Sequence, residues 1–303
     1  MRIIFMGTPD FAVASLAALL NAGKEVVAVV TTPDKPAGRG QKMHESAVKK
    51  YAVAQGLPIL QPEKLRDPEF VNTLQSYEAD LQVVVAFRML PEIVWNMPPH
   101  GTINVHASLL PQYRGAAPIN HAIIQGERVS GVTTFLLQHE IDTGNILFTQ
   151  EVEITEKDNA GTLHDKLMQA GAETLIRTVN AIEQNNTEPI PQAQLENSAL
   201  KTAPKIFKET CMIQWDRPTE QVYNQIRGLS PYPAAWTMFH NKVLKIYETE
   251  KAEATDCAAG EYSTDGKTYL SFATQDGSLR INSLQIEGKK RMLIDEFLRG
   301  YRF

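Results

Sequence analysis

Cysteine is scarce in this sequence: Cys211 and Cys257 are the only two in 303 residues. Such a pair makes neither a disulfide framework nor metal-ligand spacing, so a reducing compartment is expected. Long apolar runs are absent as well, none approaching the roughly 18 residues of a membrane span. The opening Met1-Arg2-Ile3-Ile4-Phe5-Met6 meets the turn Gly7-Thr8-Pro9-Asp10 too soon to read as a secretory leader. A cytoplasmic protein without membrane attachment is therefore expected. Nor does charge of one sign dominate. Thirty Lys and Arg stand against 35 Asp and Glu, a net charge of -5. That excludes a wholly basic nucleic-acid wrapper but not a local basic patch.

Familiar catalytic signatures are missing too. The seven histidines (His44, His100, His106, His121, His139, His164 and His240) form no His-Glu-x-x-His or other zinc spacing. No metal is expected. Ser108 lies outside any Gly-x-Ser-x-Gly elbow, which argues against a serine nucleophile. A dinucleotide turn needs three glycines after the first strand, where this chain has Gly7 followed by Pro9 and Asp10. Asp10 would repel a phosphate and is expected to cap a helix instead.

What the sequence does contain is an alternation of strand and helix patterns. Its length suits two domains of roughly 150 residues each. Arg2 to Met6 reads as a buried strand, and Phe11 to Asn21 as a helix stopped by Gly23. The unalternating runs Val26 to Val30 and Leu81 to Phe87 suit parallel strands covered on both faces. Helices are expected at Ala47 to Gln55, Glu69 to Tyr77, Pro118 to Gln125 and Leu163 to Ile182. Further strands are expected at Leu57 to Leu60, Gly101 to His106, Gly131 to Leu137 and Asn145 to Ile154, with a polar loop from Thr31 to Glu45. The fold class is α/β with a parallel sheet.

From Gln184 to Lys205 the pattern fails among Pro189, Pro191 and Pro204, so residues 185–205 read as a linker between domains at 1–184 and 206–303. Beyond it, Lys242 to Tyr247, Thr268 to Ala273 and Ser278 to Ile286 read as short strands, with one helix near Thr219 to Arg227. The turn pairs Asp265-Gly266 and Asp276-Gly277 separate them, which suits a small antiparallel barrel. Charge is uneven along the chain. Residues 206–303 hold 13 basic and 13 acidic side chains, so the negative balance lies in the first 205. Residues 31–50 run against that trend, with five basic groups and two acidic ones. A basic, glycine-rich loop on an acidic body suits steering of a polyanion, and equally a solvated loop.

Functional groups of an α/β sheet gather at the carboxyl ends of strands. Asn104 and His106 lie two apart at one such end and so share a face. Asp142, in a tight loop between two later strands, can meet them. An amide, an imidazole and a carboxylate together can manage attack on a carbonyl. The amide donates to developing oxygen charge, the imidazole handles a proton, and the carboxylate orients the imidazole. A histidine near a strand end can also be purely structural.

The run Asn104-Val105-His106-Ala107-Ser108-Leu109-Leu110-Pro111-Gln112-Tyr113-Arg114-Gly115-Ala116-Ala117-Pro118 resembles the signature of formyltransferases that use 10-formyltetrahydrofolate, and Ile141-Asp142-Thr143-Gly144 their second motif. Phe5-Met6-Gly7-Thr8-Pro9-Asp10-Phe11-Ala12, Pro33 to Gly40, Lys201 to Ile206, Ile226 to Ala234 and Gly288 to Met292 resemble the tRNA-dependent members of that family. The resemblance covers essentially the whole chain. It implies a formyltransferase domain followed by an antiparallel OB-like β-barrel that binds tRNA. The implied reaction moves a formyl group from 10-formyltetrahydrofolate to the α-amine of methionyl initiator tRNA, with no metal or nucleotide cofactor, in a monomer.

By the same resemblance, Asn104, His106 and Asp142 are catalytic, with Asp142 orienting His106 and favouring its charged form. Phe87, Arg88, Met89 and Leu90, together with Ser108, Leu109, Leu110 and Pro111, line the folate pocket, largely through backbone groups. Lys35, Arg39 and Lys42 face the tRNA acceptor end, Arg39 presenting its fork to phosphate. Lys205, Lys289, Lys290 and Arg291, with Lys208 and Arg227, mark a basic path along the C-terminal part. Glu140 and the pair Phe87-Arg88 depart from the family pattern. Glu140 stands where glycine is usual and bears on the local turn. Arg88 adds a charge suited to a folate glutamate tail or to a helix cap. Family relatives acting on amino sugars can also carry a small second domain, and the Arg39 loop favours tRNA over them. A non-catalytic RNA-binding relative is disfavoured by the presence of all three catalytic residues.

Overall fold

The computed structural model describes residues 1–37, 42–195 and 199–301. In chain order, β1 (Arg2–Gly7) and α1 (Asp10–Asn21) lead to β2 (Glu25–Val30), β3 (Lys35–Ala37) and β4 (Lys42–His44). Then come α2 (Ala47–Ala54), β5 (Ile59–Leu60), α3 (Pro68–Ser76), β6 (Leu81–Val85) and α4 (Glu92–Trp95). After β7 (Thr102–His106) follow β8 (Arg114–Gly115), α5 (Pro118–Ile124), β9 (Val129–Leu136), β10 (Ile146–Glu153) and α6 (Ala160–Glu183). The rest comprises β11 (Thr202–Ala203), α7 (Thr219–Gly228), β12 (Ala235–Phe239), β13 (Lys242–Ala252), β14 (Tyr262–Thr264), β15 (Leu270–Ala273), β16 (Ser278–Ile286), β17 (Met292–Leu293) and α8 (Ile294–Gly300). No helix among the described residues is long and apolar enough to cross a membrane.

The chain forms two compact units. The first gathers residues 1–115, 130–152 and 164–201, and the second 116–129, 153–163 and 202–303. The first therefore reaches past the sequence boundary at 184, and two internal segments fall in the second.

The first unit is built on a seven-stranded sheet of order β10-β9-β7-β6-β1-β2-β5. Pairings β1–β2, β1–β6, β2–β5 and β6–β7 are parallel, and β7–β9 is antiparallel. Every residue of β6 is buried, and Ile3, Ile4, Phe5 and Met6 of β1 are fully so. Unalternating apolar sequence is what a strand covered on both faces requires. The chain winds from β1 outward through β2 to β5, then resumes on the other side of β1 with β6 and β7. The reversal makes the carboxyl ends of β1 and β6 a crevice where α/β sheets take ligands.

Two of the details that differ from expectation lie near the start of the chain. Asp10 is the first residue of α1 rather than its cap; Pro9 holds the cap position, and no side chain bonds the first turn. The segment read as a polar loop holds a hairpin, β3 against β4. Its feet are tied to α2. Lys49 donates to Asp34 before β3 and, at 2.9 Å, to Glu45 after β4, while Gln61 donates to Asp34 at 2.8 Å. These contacts hold the Asp34 carboxyl below its ordinary pKa and raise that of Lys49.

The second unit carries an antiparallel sheet of order β12-β13-β16-β15-β14, with β17 on β16. Register shifts between Ile246 and Thr249 bend β13. The sheet curls enough to bring Phe239 of β12 to 5.0 Å from Tyr262 of β14, ring to ring. Trp215 stacks on Phe272 at 4.7 Å inside this curl and donates to Thr237. Helices α5 and α7 pack closely because Gly228 lies against Ile124; a Cβ there would stand 2.6 Å from its side chain. Asn120 donates to the Gly228 carbonyl at 2.7 Å across the same contact. Strands β12 and β14 and helix α8 were not anticipated from the sequence.

Candidate active site

Strand β7 delivers Asn104 and His106 on one face, opposite Phe135 and Thr133 of β9. His106 is buried, 7% exposed. Its Nε2 lies 3.0 Å from the Tyr113 carbonyl oxygen. A carbonyl can only accept, so Nε2 carries a proton and Nδ1 is the nitrogen left to exchange one. Nδ1 faces Oδ2 of Asp142 at 3.8 Å, close enough for ion pairing but too far for a direct hydrogen bond. The same Oδ2 accepts the Gly115 backbone N–H at 3.0 Å. The sequence brought these three residue types together on paper, and the fold brings His106 and Asp142 together in space. Asn104 Oδ1 is buried with no hydrogen-bond partner among the described residues. Thr8 Oγ1, just past the end of β1, is in the same state. Buried polar atoms are normally paired, so both mark the edge of the sheet as a place for an incoming polar group.

Three non-glycine residues at positive φ lie near these groups. Ala86 after β6, Tyr113 and Asp142 have φ of +47°, +59° and +56°. Non-glycine residues seldom adopt this conformation, and where they do they often serve a site. Glu140, standing where the family pattern has glycine, is not among the positive-φ residues; Asp142 carries that conformation instead. Gly144 is demanded by space, since a Cβ there would lie 1.6 Å from the Leu136 carbonyl oxygen.

The two stretches that the resemblance assigns to folate follow β6 and β7. Leu90 belongs to the core beneath β6, and Met89 is 73% exposed. Arg88 lies against the Phe87 ring, 5.5 Å from its centre. Its guanidinium donates to the Pro62 and Glu63 carbonyls, and burial lowers its pKa. The arginine thus fastens a neighbouring loop rather than capping a helix. In the second stretch Ser108 is fully buried and donates to the Gln112 carbonyl at 2.7 Å. Thr133 joins it to Leu110, donating to the Ser108 carbonyl at 2.7 Å and accepting the Leu110 N–H at 3.1 Å. Leu110 packs with Phe135 and Ile146, Pro111 is buried, and Leu109 is half-buried.

The residues placed in the linker include a part of the site that sequence reasoning missed. Gln192 is 3% exposed. Its Nε2 donates to the carbonyls of Asp142 and Gly144, both at 2.9 Å, and its Oε1 accepts from Arg114 Nε at 3.0 Å and Nη2 at 2.7 Å. Ile190 exchanges two backbone hydrogen bonds with Ile146. The Lys201 carbonyl accepts the Tyr113 N–H at 2.7 Å, and Lys201 N–H donates to Gln112 at 2.8 Å. No sequence signal sets Gln192 apart from Gln194 two residues on.

Of the basic residues, Lys35 is exposed on β3, and Arg39 and the Lys42 side chain lie outside the described residues. Lys205, exposed, sits over the Phe207 ring at 5.6 Å; Lys289 and Lys290 are exposed. Arg291 donates to Ser283 and covers the Tyr247 ring at 4.4 Å. Arg227 departs from the proposed path: it donates to the Asp158 and Thr155 carbonyls and to Asn224, and burial lowers its pKa. It holds the second unit together. Among the described residues, no cluster of three or more potential metal-ligating side chains occurs.

Residues 1–179 match the formyl transferase family, and residues 205–302 its C-terminal domain. A methionyl-tRNA formyltransferase of Bacteroides thetaiotaomicron is 54% identical over 309 residues, covering 100% of this chain and 96% of that protein. The fold resembles an N-formyltransferase from Helicobacter canadensis solved with folinic acid and dTDP-3-aminofucose. There the TM-score is 0.69 at 20% identity, over 93% of this chain and 98% of that one. It also resembles HypX from Aquifex aeolicus, solved with tetrahydrofolic acid, at a TM-score of 0.67 and 18% identity. That match covers 98% of this chain but 47% of HypX. Full-length identity above one half, with both domains matched and the Asn104, His106 and Asp142 motifs in place, settles the assignment: the chain belongs to the methionyl-tRNA formyltransferases.

Proposed function

We propose that Asn104, His106 and Asp142 carry transfer of the formyl group of 10-formyltetrahydrofolate to the α-amine of methionyl initiator tRNA, the family's reaction. One observation carries this reading: the His106 imidazole is held between the Tyr113 carbonyl and the Asp142 carboxylate, on the strand that also bears Asn104, whose buried amide oxygen has no partner among the described residues. The attacking amine must be neutral. Asn104 donates from its amide to the formyl oxygen as that oxygen gains charge. A donor so placed is worth about 10²–10³ in rate. His106, with Nε2–H held by Tyr113, handles at Nδ1 the proton that the amine loses as its bond to the formyl carbon forms, and the folate nitrogen would take up a proton as its own bond to that carbon breaks. Asp142 orients the ring, and a water reaching both groups would relay the proton.

The residues present suit a folate. Phe87 to Leu90 and Ser108 to Pro111 would hold it, chiefly through backbone groups at the reversal of strand order. When bound, it supplies an activated formyl group. Residues 1–184 would carry the chemistry and 206–303 would bind tRNA, with 185–205 between. Lys35, Arg39, Lys42, Lys205, Lys289, Lys290 and Arg291 would meet tRNA phosphates. The enzyme would act as a monomer in the cytoplasm.

The test is transfer of labelled formyl from 10-formyltetrahydrofolate to charged initiator tRNA, beside uncharged tRNA and free methionine. Label on the charged tRNA alone is expected. Folded, folate-binding protein that transfers nothing would sink the reading.

A further inference from the structure

We propose that Gln192 is a positioning residue of the formyl transfer, setting the Asp142 carboxylate against His106 from the last stretch of the first unit. The inference rests on the reading of His106 and Asp142 as catalytic and adds a residue to their machinery.

The geometry is closed on both sides. With its two N–H groups Gln192 grips the carbonyls of Asp142 and Gly144, 50 and 48 residues earlier. With its oxygen it takes two N–H groups of Arg114, 78 residues earlier. A primary amide has two donors and one oxygen, and every one of them is used here. The network also fixes the amide's orientation, since carbonyls can only accept and a guanidinium can only donate.

The two loops so gripped are those on either side of the imidazole. The Asp142 loop supplies the carboxylate facing Nδ1, and the 113–115 loop supplies the carbonyl on Nε2. They also meet directly, through Gly115 N–H and Asp142 Oδ2. Asp142 sits at positive φ, a conformation that needs its surroundings to hold it. Gly144 cannot move toward β9, because its Cα already crowds the Leu136 carbonyl. Gln192 closes the remaining side. The Ile190–Ile146 backbone pair fixes the glutamine's own position. A small loss of register at Gln192 therefore displaces the carboxylate and the carbonyl together, and a displacement of about 1 Å at reacting groups can cost about 100-fold in rate.

The experiment compares wild type with Gln192→Ala and Gln192→Glu. The glutamate keeps the volume and the acceptor for Arg114 but loses both donors to Asp142 and Gly144. Two readouts are taken: steady-state formylation, and the ¹⁵N spectrum of the His106 ring without substrates. Expected are a kcat lower by at least about 10-fold in both variants, with KM for each substrate within about threefold. The His106 ring should change from a single Nε2–H tautomer at high pH in wild type to a mixture. Unchanged kcat in folded Gln192→Glu, or an unchanged ring spectrum, overturns the proposal. If Gln192→Ala does not fold, the glutamate variant alone decides. Wild type that transfers no formyl would refute the functional reading, while the ring spectrum would still test the positioning.

Discussion

His106 and Asp142 approach to 3.8 Å between Nδ1 and Oδ2, while the other imidazole nitrogen lies 3.0 Å from the Tyr113 carbonyl. The ring is therefore held from one edge and electrostatically supported at the other. Replacing His106 by alanine should lower kcat by about 10²–10⁴, the usual range for a lost acid–base group, with KM little changed. Formylation kinetics at saturating folate check this. A KM effect larger than the kcat effect would make His106 a binding group.

Asp142→Asn should separate charge from shape. Asparagine tolerates positive φ and can still accept from Gly115, so thermal stability should hold within about 2 °C. Turnover should nevertheless fall at least about 10-fold, because the imidazolium loses its counter-charge. Asp142→Val should lose both, since a β-branched residue is strained at positive φ. Paired melting curves and rates distinguish these outcomes.

Gly144→Ala should unfold the loop rather than tune it. A methyl 1.6 Å from the Leu136 carbonyl oxygen cannot be accommodated without moving backbone. A loss of about 3 kcal/mol in urea unfolding is expected. Wild-type stability and activity together would mean that β9 can retreat.

Much of the site was legible beforehand because it is local. Asn104 and His106 sit two apart at a strand end, and period alone puts them on one face. Buried β6 and β1 announced themselves by unbroken apolar sequence. Hairpin β3–β4 stayed hidden because its residues are polar and short of pattern. Strand β12 was masked by the Pro231-Tyr232-Pro233 punctuation just before it. Gln192 was invisible for a different reason. Its role is made of contacts 48 to 78 residues away, which no local pattern encodes. Arg88 and Arg227 looked like charges available to ligands, whereas the fold uses their guanidinium groups to bind its own carbonyls.

The hairpin's footing should respond to acid. Lys49 and Gln61 hold the Asp34 carboxyl below its ordinary value. Its contribution is therefore complete above the unfolded carboxylate range, near 3.9, and is lost as pH falls through the lower folded value. The raised Lys49 adds stability that persists until pH climbs through its folded value. Lys49→Met should thus destabilise the protein near pH 6 and converge with wild type as pH falls through the lowered folded value of Asp34. A constant difference across that range would assign the effect to packing.

Salt dependence should sort the arginines and lysines. Lys290→Ala should lower the slope of log Kd for tRNA against log salt by about one unit. Arg227→Gln should leave that slope alone and depress the melting temperature. The reverse pattern would return Arg227 to the phosphate path.

The membership of the second compact unit, with 116–129 and 153–163 as well as everything from 202 onward, has a consequence for how such an enzyme can be taken apart. A protease nick or a gene fusion near residue 184 cannot release two self-sufficient halves. The N-terminal piece would carry away α5, leaving α7 without the partner that Gly228 is shaped to meet. The chain is stitched rather than strung. Exchange of the C-terminal half between relatives would have to bring both inner stitches along.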